Sequence, residues 1–222
     1  MSYTFIWIAL IIAVVDWVAV AKGWRKVEYF AKPAVMVALL AWLWQNSGFS
    51  GQLIWFAIGL ACSLAGDVFL MLPREQFVPG LVSFLLAHLA YLVGFNPSLP
   101  PLHAASLILL VLVALASSAV YRRIAAGLQA SGQAALKLPV LVYTIVISLM
   151  LLSALITLVR PEWSALNALL VSAGALLFYA SDTTLAWNKF VAPIRNGRLW
   201  VIVTYHLGQT LIVLGAAAHF LS

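Results

Sequence analysis

Charge is scarce in this sequence. Only 8% of its 222 residues are Asp, Glu, Lys or Arg, while 65% are hydrophobic and the mean hydropathy is +1.08. A soluble domain carries roughly a quarter charged residues, so there is too little polar side chain here to coat a surface facing water. Cysteine is nearly absent as well. The single Cys62 lies within an apolar run, which excludes an intramolecular disulfide and a Cys-based metal site. Three catalytic signatures are missing: a Gly-x-Ser-x-Gly nucleophile elbow, a His-Glu-x-x-His metal helix and a Gly-rich phosphate loop. The first apolar run has no basic segment before it and no evident cleavage site, so it is expected to be a retained helix rather than a signal peptide.

What remains is a series of apolar runs separated by Gly, Pro or charge. Eight candidate spans result, at about 3–21, 32–49, 52–72, 77–95, 102–121, 137–159, 164–187 and 199–221. Each is near the ~20 residues that cross a bilayer. The fold class is therefore an all-α polytopic membrane protein, one eight-helix transmembrane domain over residues 1–222. The intervening turns are too short for a domain outside the membrane.

The basic residues orient the chain. Lys22, Arg25, Lys26 and Lys32 follow span one, Arg74 follows span three, Arg122, Arg123 and Lys137 follow span five, and Lys189, Arg195 and Arg198 follow span seven. The other side holds only Arg160. By the positive-inside rule the odd loops are cytoplasmic and both termini lie on the non-cytoplasmic side. The net charge of +6 is thus a topology signal, and no nucleic-acid partner is expected. The expected location is a bacterial cytoplasmic (inner) membrane, crossed many times.

The halves of the chain echo each other. Span two opens Lys32-Pro33 and span six Lys137-Leu-Pro139; span three carries Gly66-Asp67 and span seven Ser181-Asp182; span four carries His88 and Tyr91, and span eight Tyr205, His206 and Gln209. A parallel 4+4 internal repeat would explain this and would set Asp67 and Asp182 at equivalent depths.

Those two aspartates stand out, because a carboxylate inside a bilayer is disfavoured by roughly 2.5–3.5 kcal/mol even on lenient scales. Each lies five residues from the basic end of its span, ~7–8 Å inside at the helical rise. Lys32, Tyr143, His206, Gln209 and His88 fall in the same half, and the outer half is almost purely apolar. A cavity open to the cytoplasmic leaflet accounts for this distribution. Tyr91 shares a helix face with His88, and Tyr205 with Gln209, while His206 points about 100° away from Tyr205.

Plainer readings stand beside these. Asp16 is read as structural, snorkelling or pairing with Lys22 or Arg25. Lys32 serves as a positive-inside anchor or as a phosphate contact, and His88, Gln209 and the tyrosines serve as interhelical bonds or as site residues. For Asp67 and Asp182 the competing reading is an ion pair with a Lys that only joins helices. It is disfavoured because the nearby cations lie at the mouth, not at that depth.

Two buried carboxylates can differ in protonation, one serving as general acid and the other as general base in hydrolysis of an ether-like bond. No ligand spacing supports a metal, and no cofactor is expected. An intramembrane aspartyl protease would need Gly where Leu64 stands. A proton-coupled lipid or small-molecule transporter using the same Asp pair is the alternative.

Several elements, in order, carry a resemblance: Lys32-Pro33, Ser63-Leu-Ala-Gly-Asp67, Phe84-Leu-Leu-Ala-His88-Leu-Ala-Tyr91, Pro139-Val-Leu-Val-Tyr143, the Gly174 to Ser181-Asp182 segment and the Tyr205 to Gln209 end. Over essentially its whole length the chain resembles the YhhN-like family. That family includes lysoplasmalogenases, membrane hydrolases of the vinyl ether bond in lysoplasmalogens. The resemblance implies a lysophospholipid substrate from the cytoplasmic leaflet, yielding a fatty aldehyde and glycerophospho-ethanolamine or -choline. It also implies Asp67 and Asp182 as the catalytic pair, with Lys32 at the lipid phosphate. His88, Tyr91, Tyr143, Tyr205, His206 and Gln209 would orient the aspartates or the substrate.

Overall fold

In a computed structural model, which describes residues 1–72, 76–101 and 103–222, the chain is a bundle of eight α-helices. They are α1 (Thr4–Lys22), α2 (Arg25–Ser47), α3 (Leu53–Met71), α4 (Phe77–Phe95), α5 (Ala104–Ala130), α6 (Lys137–Ile156), α7 (Ala165–Phe190) and α8 (Gly197–Phe220). All eight are long and apolar enough to cross a membrane. The described residues contain no strand, as expected where every backbone group must find its partner without water. Arg74, one of the cations used to orient the chain, lies outside the described residues.

Two helix boundaries depart from the hydropathy reading, for one reason: charge ends an apolar run without ending a helix. The second helix begins at Arg25, seven residues before the expected start, and carries Pro33 in its interior. The fifth runs on to Ala130, through Arg122 and Arg123. Between α1 and α2 the turn is tight. Gly23 takes a left-handed φ of 71°, and the Trp24 N–H reaches back 2.8 Å to the Ala19 carbonyl, a Schellman-type stop that only glycine adopts without strain.

Packing is closest between α7 and α8, then between α3 and α4 and between α1 and α2. Small residues permit the first approach. A Cβ on Gly174 would lie 2.7 Å from the Ile212 backbone nitrogen and 2.8 Å from the Gly208 carbonyl oxygen. In the second, a Cβ on Gly66 would meet the Phe84 ring at 2.6 Å. Apolar burial gives little drive between helices in lipid, so such backbone approach is what joins them. Phe56, Tyr91, Phe95 and Phe178 fill the centre and are fully buried. The less basic end is closed by Arg160, whose guanidinium donates to Ser98 Oγ at 2.8 Å and Asn96 Oδ1 at 3.1 Å, beside Trp163 stacked on His219. The basic end stays open, and the polar side chains collect there.

Candidate active site

Asp67 is on α3 and Asp182 on α7, and both line one cleft in the basic half of the bundle. Its walls are largely apolar or aromatic, among them Leu70, Phe77, Leu81, Phe84, Ile147 and Phe190. The unfilled space, open mouth included, is about 840 Å³, yet the centre of a water molecule can move through only about 80 Å³ of it. The larger figure counts open solvent, so the smaller one describes the interior: narrow, with room for only a few water molecules.

Each carboxylate is held by a phenol and a nitrogen. Tyr205 donates its hydroxyl to Asp67 Oδ2 at 2.8 Å, and the Lys32 ammonium lies 2.9 Å from Oδ1. The Asp67 side chain is fully buried. On the other side Tyr143 donates to Asp182 Oδ2. His88 Nε2 lies 2.9 Å from the Tyr143 oxygen and 3.2 Å from the same carboxylate oxygen. It serves as donor in both contacts when the ring proton is on Nε2, and its buried Nδ1 has no partner among the described residues. The Asp182 side chain is 15% exposed, opening onto the cleft.

One helical turn deeper lies a second layer. Tyr91 donates to Gln209 Oε1 at 2.6 Å, and Gln209 Nε2 donates to Ser63 Oγ at 2.8 Å. These three side chains sit three or four residues from His88, Tyr205 and Asp67 respectively, so they stack beneath them on the same faces. The layer ties α4, α8 and α3 together and takes no place on the cleft wall. Aromatic rings fill the space between the two carboxylate groups. Phe178 lies 4.6 Å from His88 and 5.4 Å from Tyr205, centroid to centroid, and Phe84 stands edge-on to Tyr205 at 5.8 Å.

The structure therefore brings together Lys32, Asp67, His88, Tyr143, Asp182 and Tyr205, with Tyr91 and Gln209 behind them. His206 is the exception. It faces α1, where Trp17 Nε1 donates to its Nδ1 at 3.2 Å, as its rotation from Tyr205 on α8 requires. Asp16 also departs from expectation. It pairs with neither Lys22 nor Arg25; it is fully buried and its oxygens have no hydrogen-bond partner among the described residues. Its spacing from Ala13 and Ala19 places it on the buried stripe of α1, and the strongest charge acting on it is that of Lys32.

The reading that no cation reaches the depth of the aspartates needs correcting. Since α2 starts at Arg25, Lys32 is two turns inside that helix, and its side chain is only 13% exposed. A long apolar stem lets the ammonium turn inward. Phe84 and Phe178 went unread as site residues, although each is four residues before a member of the site, His88 or Asp182, and so on its face. No three His, Cys, Asp or Glu side chains converge as a metal site among the described residues.

Comparison with known proteins now fixes the lineage. Residues 27–216 match the YhhN family. The chain belongs to that family. Among its relatives, the human lysoplasmalogenase TMEM86B is 33% identical over 186 residues, 83% of this chain and 72% of that protein. The pig lysoplasmalogenase TMEM86B is 37% identical over 71% of this chain and 61% of its own length. The uncharacterized membrane protein YhhN of Escherichia coli O157:H7 is 28% identical over 54% of this chain and 60% of its own length. No solved structure matches the chain.

Proposed function

We propose that this protein hydrolyses the vinyl ether bond of lysoplasmalogens, with Asp182 as general acid and Asp67 as the anion that stabilises the cationic intermediate and activates water. The observation carrying the reading is that two carboxylates line one narrow, largely apolar cleft, each with its own phenol donor. The curated mammalian relatives named lysoplasmalogenase support the reaction class.

A vinyl ether reacts by protonation at its β-carbon. Asp182 gives up its carboxyl proton there, the carbon–carbon π bond supplies the electron pair, and an oxocarbenium ion forms at the ether carbon. The Asp67 carboxylate offers it negative charge in a largely apolar cleft, where such charge is weakly screened. Water adds to the cation and passes a proton to Asp67, giving a hemiacetal. Collapse returns the hemiacetal hydroxyl proton to Asp182, while Asp67 delivers its proton to the departing glycerol oxygen. Both carboxyl groups end as they began, and the products are an aldehyde and a glycerophosphodiester.

The roles follow from the neighbours. An ammonium has three donors and no acceptor, so Lys32 can only complement an anion at Asp67. Asp182 opens onto the cleft and has a phenol and an imidazole beside it but no ammonium, so no fixed cation holds it as an anion. Lys32, expected at the lipid phosphate, has its ammonium on Asp67 instead. In the bilayer the cleft is read as opening to the cytoplasmic leaflet, the side of the basic loops.

The test is aldehyde release from lysoplasmenyl-ethanolamine by purified protein in detergent, without any ion gradient, beside Asp67→Asn and Asp182→Asn. Release by the wild type and its loss in both variants is the expected result. Movement of the lipid across vesicles with no aldehyde formed would replace the hydrolase by a transporter.

A further inference from the structure

Beside the cleft, toward the basic end, lies a second cavity of a different character. It admits water over about 470 Å³, against about 80 Å³ in the cleft. Its wall includes Arg25, Glu28 and Tyr29 from α2, Asn188 and Lys189 from α7, and Arg198 from α8. Lys32, Leu70, Leu185, Val201 and Ile202 line both cavities, so the two adjoin along these side chains. The only carboxylate on the described wall of this vestibule is Glu28, which holds Arg198 by both oxygens at 2.7 and 2.8 Å. Arg198 is still 55% exposed, and Arg25 makes no ion pair among the described residues.

A wide, cationic vestibule beside a narrow, apolar cleft has the polarity of a lysophospholipid. We propose that the vestibule is the headgroup subsite of this protein, binding the glycerophosphodiester of its lipid through Arg25 and Arg198 and the ammonium of an ethanolamine headgroup through Glu28. The assignment rests on the hydrolase reading for the identity of the lipid, not for the existence of the subsite. Arg198 meets Glu28 through one guanidinium nitrogen, which leaves N–H groups on the other two nitrogens for phosphate oxygens. Glu28 accepts hydrogen bonds from a primary ammonium, which a quaternary choline cannot donate. The glycerol backbone then runs past Lys32 at the seam between the cavities and delivers the vinyl ether to Asp182.

Two measurements on detergent-purified full-length protein test this. The first is binding of a non-hydrolysable 1-O-alkyl-glycerophosphoethanolamine, with glycerophosphoethanolamine and inorganic phosphate as competitors. The second is kcat and KM for aldehyde release from ethanolamine and choline lysoplasmalogens. Arg198→Gln and the Arg25→Gln, Arg198→Gln pair are expected to weaken alkyl-lipid binding at least about tenfold, the loss of one charge-assisted contact. They should raise KM far more than they lower kcat, the signature of lost uniform binding. Arg198→Lys should recover part of the loss. Glu28→Gln should raise KM for the ethanolamine substrate more than for the choline one. Binding that stays within twofold of wild type in the Arg pair overturns the subsite. So does inorganic phosphate competing as well as glycerophosphoethanolamine, or an equal response of the two headgroups to Glu28→Gln. If the wild type binds the alkyl lipid through these residues and releases no aldehyde, the reaction fails and the subsite stands.

Discussion

The two carboxylate groups are built to one plan, with the phenol and the nitrogen exchanged between helix positions. Each aspartate takes a partner from the second helix of its own four-helix half and another from the fourth helix of the other half: Lys32 and Tyr205 for Asp67, Tyr143 and His88 for Asp182. Each has a phenol donor. The difference lies in the nitrogen, an ammonium at a fully buried carboxylate against an imidazole at one that opens onto the cleft. A buried ion pair is costly to break and makes Asp67 an anion at rest, whereas no ammonium holds Asp182 in that form. The same plan thus yields two arms, a resting anion and a resting acid.

The comparison can be broken in four ways. The largest effect is expected from Asp67→Asn and Asp182→Asn, each lowering kcat/KM by at least about a hundredfold. The double variant should be hardly slower than the worse single, because the two act in one sequence of steps. Next comes stability, read by thermal unfolding in detergent. Lys32→Met strands a buried carboxylate and should cost about 3–5 kcal/mol. His88→Gln should cost less, since Asp182 keeps Tyr143 and its opening to the cleft. Equal losses would erase the distinction between the arms. Smaller again, Tyr143→Phe and Tyr205→Phe should each lower kcat about tenfold through one lost hydrogen bond to a charged group. The least effect on rate belongs to Gln209→Leu, which leaves Ser63 and Tyr91 without their partner behind the cleft. Its kcat should fall only a few-fold, about 1 kcal/mol of positioning, with KM nearly unmoved.

Much of this was legible in the chain itself. Eight apolar runs located the helices, six of them within three residues at each end, and the helical spacing that separated His206 from Tyr205 anticipated its turn toward Trp17. The isolated Asp67 and Asp182 marked the cleft because carboxylates are so unfavourable in apolar runs. What stayed hidden depended on helix length and on side-chain reach. Hydropathy cannot see that α2 starts before its apolar run, so Lys32 looked like a mouth residue and Arg25 and Glu28 looked like loop. Arg198 counted only toward orientation, because its pairing with Glu28 joins the first turns of helices 170 residues apart. Nor does residue type alone distinguish Phe178 from the many other aromatics of the core; its place between His88 and Tyr205 emerges only when α4, α7 and α8 meet.

The division of labour is tested most directly by adding azide, an anion with no proton to give, to Asp67→Gly and Asp182→Gly in detergent and following consumption of the lysoplasmalogen. With Asp182 as the acid and Asp67 as the anion beside the cation, azide should restore part of the turnover in Asp67→Gly and none in Asp182→Gly. Rescue of Asp182→Gly alone would make Asp67 the proton donor and reverse the two arms.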